Sequence, residues 1–145
     1  MRKEQLIRIC LAMLLASATL MLSSCKKDHK NKDPKEALVN TRWKIAMDLP
    51  GIDIDNEIGE VSGELYFTSQ TEGELTMSDG NVNFTVPEAY SYDATQKTYY
   101  ATITIGNDTM HFIMKVNWDT NILLFYEQKD GAVSPKPMMG FTLVK

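Results

Sequence analysis

The side chains best suited to chemistry in this 145-residue chain are carboxylates and tyrosines. Asp53, Asp55 and Glu57 recur at a spacing of two. That spacing sets three carboxylates on one side of an extended segment, or round a small loop if the segment curls. Calcium takes several hard oxygens of this kind. Glu64 stands eleven residues after Asp53, as the last ligand of an EF-hand loop would. The position where such a loop turns on glycine is Ile58, and no flanking helices are readable. The run is either a calcium site or a solvated acidic loop. Tyr90, Tyr92, Tyr99 and Tyr100 gather about one predicted hairpin. Their rings could stack on a sugar or line an apolar pocket with a wet hydroxyl, or simply pair across strands. Imidazoles are scarce: His29 and His111 are the two histidines. No Gly-x-Ser-x-Gly elbow is present, and a glycosidase would need two carboxylates fixed across a cleft. The expectation is a protein that is not an enzyme.

The cysteines carry an address instead. Arg2, Lys3 and Arg8 precede an apolar run from Ile9 to Leu22, which closes on Leu22-Ser23-Ser24-Cys25. Basic residues ahead of a short apolar stretch make an export signal, and this stretch falls short of the roughly 20 residues a membrane span needs. Leu-Ser-Ser-Cys resembles the lipobox of bacterial lipoproteins. The resemblance implies cleavage before Cys25, a diacylglyceryl group on its thiol and acyl chains such as palmitate. Cys10 leaves with the signal, so the exported domain keeps no thiol for a disulfide and must be stable by packing alone. Two or more acyl chains make the anchor effectively permanent.

Three segments follow: a signal peptide over 1–24, a lipidated polar tether over 25–35, and one domain over 36–145. Charge is uneven among them. Residues 25–44 hold seven basic and three acidic side chains, whereas residues 45–96 hold eleven acidic ones and no Lys or Arg. A basic tether suits anionic headgroups, and an acidic domain stands off from them. The balance excludes nucleic acid as a partner, since that needs a basic surface on the folded part.

The elements that must position these residues are strands. One helical turn or two opens the domain, with Asp33 as cap, Pro34 first, Glu36 at capping-box spacing and Asn40 as a stop. The period then becomes two: Trp43, Ile45, Met47; Leu65, Phe67; Leu75, Met77; Val82, Phe84, Val86; Tyr99, Ala101, Ile103, Ile105; Met110, Phe112, Met114, Val116. Such alternation predicts strands with one face buried. Residues 122–126 are apolar in both phases, which predicts a strand covered on both sides. Asp79-Gly80-Asn81, Gly106-Asn107-Asp108, residues 93–97 and residues 118–121 read as tight turns. Longer breaks fall around Pro50-Gly51 and over residues 129–140. The fold class expected is all-β: an antiparallel up-and-down meander of about eight strands after a short helix. Closure into a barrel removes its edges; an open β-sandwich is the alternative.

A lipobox, a polar tether, a short helix, a first strand opening Asn40-Thr41-Arg42-Trp43-Lys44 and a meander resemble the lipocalin-like lipoproteins of Bacteroidetes-type bacteria. Residues 90–93 and 100–105 look like their central hairpin. The resemblance covers most of residues 36–145 and implies a lipocalin-like barrel on the outer membrane. Asp108-Thr109-Met110 resembles a short O-glycosylation motif of exported proteins in the same bacteria, with Thr109 as acceptor. Signals for the cell surface in this group are acidic just after the cysteine; Lys26 and Lys27 are basic, so the periplasmic face is expected. The functional expectation is a non-catalytic, membrane-anchored binding module in the cell envelope, for a small apolar or glycan ligand and with no cofactor unless calcium. The alternative is a structural or protein-contact lipoprotein with a filled barrel.

Overall fold

A computed structural model of the chain describes residues 31–56 and 61–145. The signal segment 1–24, Cys25 and Glu57 lie outside the described residues. Lys32–Lys145 form a unit of their own, with a core drawn entirely from within it.

A helix α1 (Pro34–Ala37) leads into β1 (Arg42–Ile45), β2 (Ser62–Phe67), β3 (Glu72–Ser78), β4 (Asn83–Asp93) and β5 (Thr98–Ile105). Then come β6 (Asp108–Asn117), β7 (Ile122–Lys129), β8 (Ala132–Val133) and β9 (Met139–Leu143). Each of β1 to β7 pairs antiparallel with the next; β7 also pairs with β9, and β9 with β1. Eight strands therefore close a ring, and β8 hangs on β7 alone. The chain is an all-β, lipocalin-like barrel with one short helix, and the β1–β9 ladder rules out the open sandwich.

Alternation decides what fills it. Trp43, Leu65, Phe67, Phe112, Leu123, Phe125 and Phe141 are all exposed by 1% or less. The Phe125 ring stands 5.5 Å from Phe112 and 5.1 Å from Phe141, tilted to both, in the range where ring pairs attract. Each such side chain contributes about 1.5–3 kcal/mol by leaving water. A barrel of this strand number is just wide enough for its own side chains, and its middle is packed with them.

The end that receives the chain is stoppered. Asp33 Oδ1 accepts from the Lys35 N–H (3.0 Å), which caps α1. The Glu36 carboxylate turns to Gln70 Nε2 (3.5 Å) instead of closing the expected capping box. Asn40 adopts φ 61° and ends the turn, as its type allows. Leu38 then drops into the core, fully buried. The Thr41 hydroxyl donates to the Leu38 carbonyl and accepts from Trp43 Nε1 (2.8 Å). Trp118, from the β6–β7 turn, lies 5.6 Å from the Trp43 ring.

Three local expectations differ. β1 stops at Ile45 rather than running through Met47, because the chain leaves to cross the outer face of β9. There a Cβ on Gly140 would meet Leu49 Cδ1 at 2.7 Å and the Ala46 carbonyl at 2.9 Å. Leu49 and Ile54 are buried by this crossing, and Asp55 N donates to the Pro137 carbonyl (2.9 Å). Pro50 and Ile52 of the same strap share a groove with Ile122 and Leu124, so β7 has company on both faces, as its apolar phases require. Second, the break over residues 129–140 holds a hairpin into β8. Asp130 and Gly131 both take positive φ, 54° and 80°, the geometry of a two-residue hairpin turn. Third, Val82 lies in the β3–β4 turn, where Asp79 Oδ1 accepts from the Asn81 and Val82 N–H groups (2.9 Å each). Those N–H groups hold the Asp79 carboxyl below its ordinary range.

Candidate functional site

The opposite end, ringed by the β3–β4, β5–β6 and β7–β8 turns, is where inward side chains lose their cover. β4 pairs with β3 from Ala89 to Asn83, but with β5 only as far as Glu88. Pro87 accounts for the limit: it has no N–H to continue a ladder. β5 itself ends at Ile105, opposite Val86, so residues 83–86 keep β3 as their one ladder partner. Phe84 and Ile105, both in the inward phase, are 38% and 40% exposed, and Val82 in the turn is 58% exposed. All three were expected on a buried face; Val82 instead lies in the β3–β4 turn, Phe84 lies beyond the end of β5 at Ile105, and the β4–β5 ladder stops at Glu88, short of Ile105. At the same end a separate open cleft of about 750 Å³ is lined by residues 45–48, Asn56, Val61, Ser62 and the turn from Ser78 to Gly80, with none of Val82, Phe84 and Ile105 in its wall.

Below this mouth stands a group that the sequence reading did not single out. Glu88 follows the inward phase of Val86 and Tyr90 and is 1% exposed. It is the last residue of β4 paired to β5, opposite Ile103, and its β3 neighbour is Gly73. A Cβ on Gly73 would lie 2.8 Å from Glu88 Oε2 and 3.5 Å from Phe67 Cδ1, so the absent side chain is the room the carboxyl occupies. Neither Glu88 oxygen has a hydrogen-bond partner among the described residues. A buried carboxylate without donors is costly, and burial pushes this group up to about 8. It is therefore mostly neutral at pH 7. The signal for it was present: Val86, Glu88 and Tyr90 alternate in one phase, and only the acidity of the surrounding stretch disguised it.

The four tyrosines do not form one cluster. Tyr92 and Tyr99 are a cross-strand pair with rings 4.7 Å apart, and Tyr90 shares their inward phase, 4.9 Å from the Phe67 ring. Tyr100 faces the other way, paired with Ser91 and Ile113. The inner hydroxyls have protein partners: Tyr90 donates to the Ser69 carbonyl and Tyr99 to that of Pro34. Burial first, and then the Glu88 charge, pushes Tyr90 up to about 12. Tyr99 is also pushed up, by burial and then by Tyr92, Tyr90 and Asp33.

Asp53 lies on the strap with its Oδ2 2.7 Å from Lys136 Nζ. That hydrogen bond and the Asp53 charge raise the lysine. Asp55 follows on the same strap. Among the described residues no three His, Cys, Asp or Glu side chains stand close enough to hold a metal ion. His111 is exposed on the outer face of β6, opposite Thr102 and Gln128. Thr109 is exposed beside the β5–β6 turn, its Oγ1 3.2 Å from that of Thr104. No helix among the described residues is long and apolar enough to cross a membrane. Set beside known proteins, the chain matches no family model, no curated protein and no solved structure.

Proposed function

We propose that this chain is an envelope lipoprotein, anchored through lipid on Cys25 at the periplasmic face of the outer membrane. Its barrel acts as a non-catalytic binding module for a small apolar ligand. The observation that carries the binding reading is the uncovered inward column at the mouth: Phe84 and Ile105, with Val82 exposed in the β3–β4 turn. Apolar side chains that face a barrel lumen and yet touch water favour an apolar guest. A glycan is the weaker half of the expectation, because the Tyr90 and Tyr99 hydroxyls already have carbonyl partners. Thr109, exposed at a turn, is open to the glycosylation that its flanking residues suggest.

A second reading draws on the packed middle of the barrel: a filled lumen suits a structural or protein-contact lipoprotein whose mouth meets an envelope protein. Native mass spectrometry of residues 26–145, expressed in the cytoplasm, separates the two. Co-purified lipid or another small apolar mass is expected. Repeated absence of any bound mass, with the barrel folded, would favour the contact protein. Acyl-chain labelling of the full chain tests the anchor, which Cys25→Ser should abolish.

A further inference from the structure

We infer that the free edge of β4, from Asn83 to Val86, is a docking site for a second protein, which adds to it an extended segment bearing basic and apolar side chains. The inference goes beyond the ligand reading, because the surface is the open edge of the wall and needs no occupied lumen. Backbone direction is the first observation. Tyr90 N donates to the Thr71 carbonyl (2.8 Å), so Tyr90 turns its backbone groups towards β3. Such groups alternate along a strand, and the β3–β4 register runs without a bulge from Ala89 to Asn83. The N–H and C=O of Thr85 and Asn83 therefore point to the other side. There the β4–β5 ladder has stopped at Glu88 and β5 ends at Ile105. Gly106, at φ 61°, turns the chain off into β6, and the line it leaves is the one a guest strand would follow. Exposed edges are commonly blunted by Lys or Pro; residues 83–86 hold neither.

Side chains and charge specify the guest. In strand addition the backbone supplies affinity, and alternate side chains supply specificity. On the inward side Phe84 is 38% exposed and Ile105, at the end of β5, 40%, so alternate side chains of the guest should be apolar. The charges that flank this pair on the β3–β4 turn and at the start of β6 are carboxylates. Asp79 Oδ1 accepts from the Val82 N–H (2.9 Å), and Asp108 stands opposite Ile105; both are exposed. Residues 45–96 hold eleven acidic side chains and no Lys or Arg. Such a surface draws basic side chains and turns away acidic ones. It also turns away a second copy of this chain, which would bring the same carboxylates face to face. The occupant is therefore a different protein with a basic extended segment.

Residues 32–145, a unit with its own closed sheet and core, can be titrated with a short synthetic peptide alternating lysine and valine, and with its glutamate–valine counterpart as control. Amide hydrogen exchange read by NMR reports the mode of binding. The lysine peptide should slow exchange at Asn83 and Thr85 at least tenfold and leave Phe84 and Val86, whose N–H groups face β3, unchanged. The glutamate peptide should bind at least tenfold more weakly. Thr85→Pro removes one edge donor without altering charge and should weaken the lysine peptide at least tenfold. No binding of the lysine peptide, binding without protection at Asn83 and Thr85, or equal binding of the two peptides would each overturn the inference. So would an affinity that a folded Thr85→Pro leaves unchanged, or a dimer of the unaltered protein through this edge. The small-ligand reading is decided separately, by the masses retained in native spectrometry. Exchange is read on the unaltered protein, so the test holds even where Thr85→Pro does not fold.

Discussion

The two ends of this barrel are built from the same alternating strands and reach opposite results. At the end that receives the chain, α1, Leu38, Trp43 and Trp118 close over the core, and each buried polar group described there has a protein partner. At the other end Pro87 halts the β4–β5 ladder, inward side chains meet water, and a carboxyl is buried without a donor. Alternation alone therefore does not make a core; a residue in the inward phase is buried only where the neighbouring strand continues. Free energy is concentrated at the stoppered end and in the middle, and departures from good packing at the mouth, as expected where a function rather than stability sets the residue.

That contrast can be broken by substitution. The largest effect is expected from Phe125→Ala, which removes the ring between Phe112 and Phe141. Chemical denaturation should show a loss of about 3–5 kcal/mol. Glu88 supplies a pH dependence of known sign. Its folded value, about 8, lies above its ordinary 4.5, so the folded state holds a proton that the unfolded chain releases. Stability is then full below about pH 4.5 and falls as pH rises towards about 8, by at most about 1.4 kcal/mol per unit. Melting temperatures of the unaltered protein should follow that slope, and those of Glu88→Gln should not. Thr41→Val strips the acceptor from the buried Trp43 indole and should cost about 1–3 kcal/mol with no effect on binding at the mouth. Phe84→Ser sharpens the other side: a ring already 38% exposed should cost less than about 1.5 kcal/mol, while apolar probes lose affinity. Should Phe84→Ser unfold the barrel as readily as Phe125→Ala, the two ends do not differ in the way described.

Much of this architecture was legible from spacing. The inward phases of β2, β3, β5 and β6 follow directly from Leu65, Leu75, Tyr99 and Phe112, because a half-buried strand must alternate. The apolar run from Ile122 demanded cover on both faces, and the strap through Leu49 and Ile54 provides it. What spacing could not convey was where a ladder stops. Phe84 and Ile105 carry the pattern of buried residues, and only the pairing of β4 with β5 shows that they lack a neighbour. Glu88 was hidden for a related reason: a glutamate in an acidic stretch looks solvated until its phase is matched to Val86 and Tyr90. Asp53 and Asp55 drew notice by composition, whereas the strap they ride on is held by Leu49, Ile54 and contacts to residues 136 and 137, far off in sequence.

The ladder that closes the ring has a consequence in time. Trp43 pairs with Leu143 and Ile45 with Phe141, so the last wall contact joins residues near the two extremes of the described chain. Contacts of such long range must be reached before they return any energy, and barrels dominated by them fold on the order of milliseconds to seconds. Until β9 emerges, β1 and β7 are each an unpaired edge. The barrel therefore cannot close until residues 139–143 are free to pair with both β1 and β7.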